Sequence, residues 1–187
     1  KAYELNRYEP EETEVLRIGV GSFVAPYILD TVNKMRKQYP NITCKRIFAP
    51  SYLLHKLLCK NEIDIAFTIN NAYENEHIHS EPCISYNIRA VMAQNHPLAK
   101  KDTLTFQDIS KYEIIVPDTD ERGIESVKKY LSDEIDCSKL KLTSVSNMAD
   151  DICKELRTHN CITIMPVFKS QEYKGLVSRS VKGMEKK

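Results

Sequence analysis

The sequence predicts an α/β protein of two lobes, each a mostly parallel sheet layered with helices. Short apolar runs of the kind that form buried strands alternate with stretches of helical apolar spacing, and that alternation argues for parallel pairing. The alternation occurs twice, once on each side of a long extended segment near residues 84–93. With 187 residues, 42% of them hydrophobic and 28% charged, the chain can bury a core in each lobe.

Val15-Leu16-Arg17-Ile18-Gly19-Val20 is short, branched and apolar, and Gly21 bounds it, as suits a buried first strand. Pro26 suits the first turn of a helix. Ile28, Val32, Met35 and Tyr39 fall on one stripe, and Tyr39-Pro40-Asn41 ends it. Ile42 to Phe48 reads as a second strand. Ser51 suits the cap of a second helix that buries Leu54, Leu57 and Leu58. Ile63 to Ile69 is a third strand, apolar enough to be expected at the centre of its sheet.

Asn70 to His79 is a polar loop, Ile84 to Ala93 a long strand, and Gln94 to Lys101 a turn-rich excursion. The pattern then restarts. Glu113 to Val116 is a strand, broken at Pro117-Asp118, and a helix is expected over roughly 123–131. Leu140 to Val145 is a strand, and a helix follows from Asn147 to about Leu156, with Met148, Ile152 and Leu156 on one face. Cys161 to Pro166 is the last expected strand, and the tail from Ser178 has no apolar pattern and is expected to fray. The predicted division is a linker over 1–14, a first lobe over 15–90 rejoined by 167–187, and a second lobe over 91–166.

Composition narrows the function. The formal charge is +1, from 27 Lys and Arg against 26 Asp and Glu, without the broad basic field of a domain that grips phosphate backbones by itself. No apolar run reaches the roughly 20 residues that cross a bilayer. Six scattered cysteines with no CxxC suggest reduced thiols and a cytoplasmic protein. There is no GxSxG elbow, no P-loop and no GxGxxG, and no carboxylate pair stands out as an acid/base couple, so neither an enzyme nor a bound cofactor is expected.

Taken together, several ordered segments resemble the effector-binding domain of LysR-type transcriptional regulators. They are Leu16 to Val20, Gln38-Tyr39-Pro40-Asn41-Ile42, Leu54 with Leu57-Leu58, and Asn61 to Phe67. Further on come Asn95-His96-Pro97-Leu98-Ala99, Leu104 to Ile109, and Ile162 to Pro166. The resemblance implies a type 2 periplasmic-binding-protein fold, two Rossmann-like lobes joined by a hinge. It also implies a homodimer or tetramer that uses the first helix, the second strand and the helix near 123–131 as contact surfaces. DNA contact would come only through an N-terminal winged helix-turn-helix preceding Lys1. His159-Asn160-Cys161 departs from the family's usual Gly-x-Gly, and Asn160 is expected to supply a left-handed turn in its place. A free-standing solute-binding protein of a transporter is the alternative.

Ligands of open parallel sheets bind beyond the carboxyl ends of the strands. That rule selects Gly21, Ser22 and Phe23 after the first strand, where free N–H groups and the helix dipole favour an anion or carbonyl oxygen. It also selects Thr68 and Asn70 after the third strand, Asp118 and Thr119 after the strand at 113–116, and Asn147 and Met148 before the last helix. Arg122 is a candidate partner for a ligand carboxylate, although Asp118, Asp120 and Glu121 crowd it with negative charge. Each has a plainer reading as a helix cap, a strand end or a solvated charge. His77-x-His79 reads as a solvated loop rather than a metal site, Cys153 and Cys161 as buried inert thiols, and Lys100-Lys101 as a surface turn.

Overall fold

The computed structural model describes residues 14–69, 77–116, 140–146, 148–168 and 173–184. The chain divides into two compact units, Lys1–His79 and Ser80–Lys187.

The first unit carries β1 (Glu14–Val20), α1 (Ala25–Gln38), β2 (Ile42–Phe48), α2 (Ser51–Cys59) and β3 (Ile65–Phe67). Both neighbours of β1 run parallel to it, in the order β2-β1-β3. The central position therefore belongs to β1, and β3, expected there, is a short edge strand among the described residues. The apolar run 63–69 contributes three ladder residues, and Ile63 is buried just ahead of them. α1 buries Ile28 and Val32, whereas Tyr39, expected on the same stripe, lies beyond the helix and is half exposed. Pro50, not Ser51, holds the cap position of α2, with no side-chain capping bond; Ser51 is the first helical residue. Leu54 is fully buried, and Leu57 and Leu58 are half-buried. Asn61, the one non-glycine residue of positive φ (54°) among the described residues, turns the chain out of α2.

That turn is tied to β1. Arg17 and Asp64 form a fork-to-fork ion pair, with Arg17 Nε 3.1 Å and Nη2 2.5 Å from the two carboxylate oxygens, while Arg17 Nη1 donates to Asn61 O at 2.5 Å. The guanidinium holds the Asp64 carboxyl below the ordinary carboxylate range.

The second unit contains β4 (Tyr86–Ala93), a 3-10 turn (Pro97–Lys100), β5 (Thr103–Leu104), α3 (Phe106–Ile109), β6 (Glu113–Val116), β7 (Lys141–Ser144), α4 (Ala149–Thr158), β8 (Cys161–Phe168) and β9 (Leu176–Val181). Its sheet has the order β5-β9-β4-β8-β6-β7, with β4 antiparallel to β8 and β9, and β6 parallel to β7 and β8. Ala90, Met92, Ile114, Ile162 and Ile164 from its centre pack with Leu104, Ile109 and Val181 in one core.

Four expectations change here. The division falls between His79 and Ser80, because all of β4 hydrogen-bonds within the second sheet. Residues 176–181, expected partly to fray and partly to rejoin the first lobe, form β9 between β5 and β4. Arg179 holds them there by donating from Nε and Nη2 to Ala99 O at 3.1 and 2.6 Å. Met148 precedes α4 and is 48% exposed, and Cys153 takes its expected place in the core beside Ile152 and Leu156. Asn160 is not left-handed, and α4 ends instead through His159 in an extended conformation. Of the linker expected over 1–14, Glu14 instead opens β1; residues 1–13 and the helix expected near 123–131 lie outside the described residues.

Candidate ligand site at the strand ends

In the first unit the three strands finish at one edge, and backbone bonds hold their exits together. Gly21 N–H donates to Phe67 O at 2.9 Å, joining the exits of β1 and β3. Ala49 N–H donates to Val20 O at 3.3 Å, joining the exit of β2. Gly21 permits this closeness, since a Cβ there would lie 3.3 Å from Phe67 O and 3.8 Å from Thr68 Cα. Gly21, Ser22, Phe23 and Thr68 are thereby brought to one edge. The turn Ala49-Pro50-Ser51 joins them, a contributor the sequence reading missed although the strand-end rule applied to Ile42–Phe48 points to it.

The electrostatics of this edge differ from expectation. Val24 and Ala25 N–H both donate to Gly21 O, at 3.2 and 3.1 Å, and Tyr27 N–H donates to Val24 O at 3.1 Å. Pro26 has no N–H. The first turn of α1 is thus internally satisfied, and of the N–H groups expected to await an anion that of Gly21 is occupied as well. Phe23 N–H has no partner among the described residues. Residues 19–29, 47–54 and 65–69 include no Lys, Arg, His, Asp or Glu. The surface at this edge combines aromatic and aliphatic side chains with hydroxyls.

In the second unit, the turn after β7 is organised by Ser146. Its hydroxyl accepts from Met148 N–H at 3.1 Å and donates to Asp151 Oδ2 at 2.7 Å. Asp150 and Asp151 occupy the first turn of α4. Met148 is exposed beside them. Asn70, Asp118, Thr119, Arg122 and Asn147 lie outside the described residues. Ser146 and Asp151 were not selected from sequence. A Ser followed five residues on by Asp at a helix start was the available signal.

His77 and His79 are both exposed, and no group of three or more metal-ligating side chains is arranged for a metal ion among the described residues. Cys44, Cys59, Cys83, Cys153 and Cys161 are free thiols. Burial raises the thiol of Cys153, and that of Cys161 is pushed up to about 11, chiefly by burial and then by Glu113 and Glu155. A raised thiol is a poor nucleophile. No described helix is long and apolar enough to cross a membrane.

The HTH-type transcriptional regulator CysB of Haemophilus influenzae is 29% identical over 102 residues, 54% of this chain and 32% of CysB. The chain spans about a third of that relative's length. The regulatory domain of CcmR from Synechocystis PCC6803, solved in complex with 2-PG, superposes with a TM-score of 0.74 at 14% identity, covering 90% of this chain and 81% of that domain. The MetR regulatory domain from N. meningitidis gives 0.71 at 20% identity, covering 92% and 80%. HinK of Pseudomonas aeruginosa, a LysR family transcriptional regulator, gives 0.70 at 16% identity, covering 91% of this chain and 60% of HinK. These likenesses show a shared fold, the two-lobe type 2 periplasmic-binding-protein-like architecture of LysR regulatory domains. The LysR substrate binding domain family matches residues 10–179, most of the chain, and the protein belongs to that family.

Proposed function

We propose that the chain is the effector-sensing part of a LysR-type transcription factor in the cytoplasm, binding a small molecule between its two lobes without turning it over. The observation that carries this reading is the convergence of Gly21, Ser22, Phe23 and Thr68 at the carboxyl edge of a parallel sheet, in a chain of this family. The solved CcmR and QuiR domains, in complex with 2-PG and shikimate, support ligand binding by this fold. Asn70, Asp118, Thr119, Arg122, Asn147 and Met148 are proposed to complete the site from the remaining strand ends. The family match favours a regulator over a free-standing solute-binding protein.

Bound effector favours one angle between the lobes through its differential affinity for the two states. A homodimer or tetramer converts that angle into the spacing of DNA-binding heads. α1 and β2 are the proposed contact surfaces, since β2 is a sheet edge among the described residues and Ile47 and Phe48 on it are exposed.

The test is a mobility shift of the complete gene product on the DNA upstream of its own gene, with and without the effector found by thermal-shift screening. Ser22→Ala and Thr68→Val are each expected to raise the half-saturating effector concentration about fivefold, the worth of one net hydrogen bond. DNA binding that no small molecule alters sinks the reading.

A further inference from the structure

We infer that His96 is an acid-sensitive latch: its protonation releases the 3-10 turn Pro97–Lys100 and, through Arg179, strand β9. All of its parts lie within the second unit. His96 Nδ1 accepts from Leu98 N–H at 3.2 Å, and His96 O accepts from Ala99 N–H at 2.9 Å, so one residue closes the turn from its side chain and its backbone at once. The turn is what holds β9. Ala99 O accepts from Arg179 Nε at 3.1 Å and Nη2 at 2.6 Å, and Gln94 N–H donates to Gly175 O at 3.1 Å just ahead of the strand.

A proton on Nδ1 replaces the acceptor with a donor that faces Leu98 N–H, and it places a charge on a ring that is only 3% exposed. The surroundings do not compensate that charge. Tyr112, ahead of β6, sets its ring 4.5 Å away, and Glu113 bonds Thr143 on β7. Lys100 and Lys101 stand in and just after the turn, and Arg179 reaches it from β9, all of them positive. Asp108 of α3 is committed to Lys101 Nζ at 2.6 Å and to Thr105 N–H at 2.9 Å, while Asp102 and Lys111 are exposed. On β4, Arg89 lies on the face opposite Ala90 and Met92, which share the core with Leu98 and Ala99. Burial accordingly pushes the imidazole below its ordinary value. Opening the turn exposes the ring, which then takes up a proton near pH 6.5, so acid favours the open form by up to about thirtyfold at pH 5.

Hydrogen exchange of the full chain, followed by mass spectrometry between pH 7.5 and 5 and corrected for the intrinsic exchange rate, tests the latch. Peptides covering 94–101 and 176–182 are expected to lose protection together, about tenfold or more, while those covering 14–20 and 161–168 keep theirs. His96→Asn retains an acceptor for Leu98 N–H but does not titrate, and both losses are expected to vanish in it. Arg179→Lys is expected to uncouple the two segments: 176–182 is poorly protected already at pH 7.5, and 94–101 still loses protection in acid. Should His96→Asn fail to fold, the joint loss in the parent and the uncoupling in Arg179→Lys decide the matter. Loss at 94–101 alone in the parent, equal loss in every peptide, a loss that survives His96→Asn, or unchanged protection throughout overturns the inference.

Discussion

Gly19 sits in the buried half of β1, where a Cβ would lie 2.6 Å from Ile63 Cδ1 and 2.7 Å from Leu54 Cδ2. Both atoms are terminal methyls of buried side chains, which must repack to admit a Cβ, so α2 and the approach to β3 close on bare backbone. Gly19→Ala is expected to cost about 1–3 kcal/mol, the usual penalty of overpacking, read as a lower urea midpoint at unchanged slope. His96 sets a different condition. It is 3% exposed; its Nδ1 accepts from Leu98 N–H at 3.2 Å, its Nε2 has no partner, and its ring centroid lies 4.5 Å from that of Tyr112. The accepting Nδ1 assigns the proton to Nε2, and burial pushes the imidazole below its ordinary value. The unfolded chain therefore takes up a proton more readily than the folded one. The stability this neutral ring contributes is complete above about pH 6.5 and declines as the pH falls below it. Urea unfolding between pH 7 and 5 is expected to show that decline, and His96→Asn, though less stable at pH 7, is expected to flatten it. An unchanged slope in the variant assigns the effect elsewhere.

Short elements here depend on their ends. α3 has four residues, too few to persist on propagation alone. A capping box holds it: Thr105 Oγ1 accepts from Asp108 N–H at 3.2 Å, and Thr105 N–H donates to Asp108 Oδ2 at 2.9 Å. Lys101 Nζ adds an ion pair to Asp108 at 2.6 Å, and with the two Thr105 donors it holds the carboxyl far below the ordinary carboxylate range. Thr105→Ala is expected to cost about 1 kcal/mol, measured by equilibrium unfolding at pH 7. Because the folded state keeps Asp108 ionised, its contribution is present above about pH 4 and is lost as the pH falls further. The difference between Thr105→Ala and the parent is expected to shrink there. Ile109, the buried residue of α3, explains why so short a helix matters: it anchors the loop to the second core.

At the scale of the whole molecule, every member of that core lies within residues 80–187. Residues 80–187 expressed alone are therefore expected to unfold in one cooperative transition with a native-sized slope; a non-cooperative melt with exposed apolar surface contradicts this. The strands at 15–20, 42–48, 86–93 and 113–116, the helices that follow the first two, and the family were legible from the chain. Apolar runs and helical spacing are properties of neighbouring residues, and a few ordered motifs suffice to place them. Tertiary structure alone decided that β1 rather than β3 is central, that β4 belongs wholly to the second sheet, and that residues 176–181 form a strand. A strand's place depends on which distant edge offers hydrogen bonds, as β4 does for Leu176–Val181. Which helix-start N–H groups are committed was decided the same way: the carbonyls of Gly21 and Val24 accept from Val24, Ala25 and Tyr27, a pairing that depends on how the chain turns between β1 and α1.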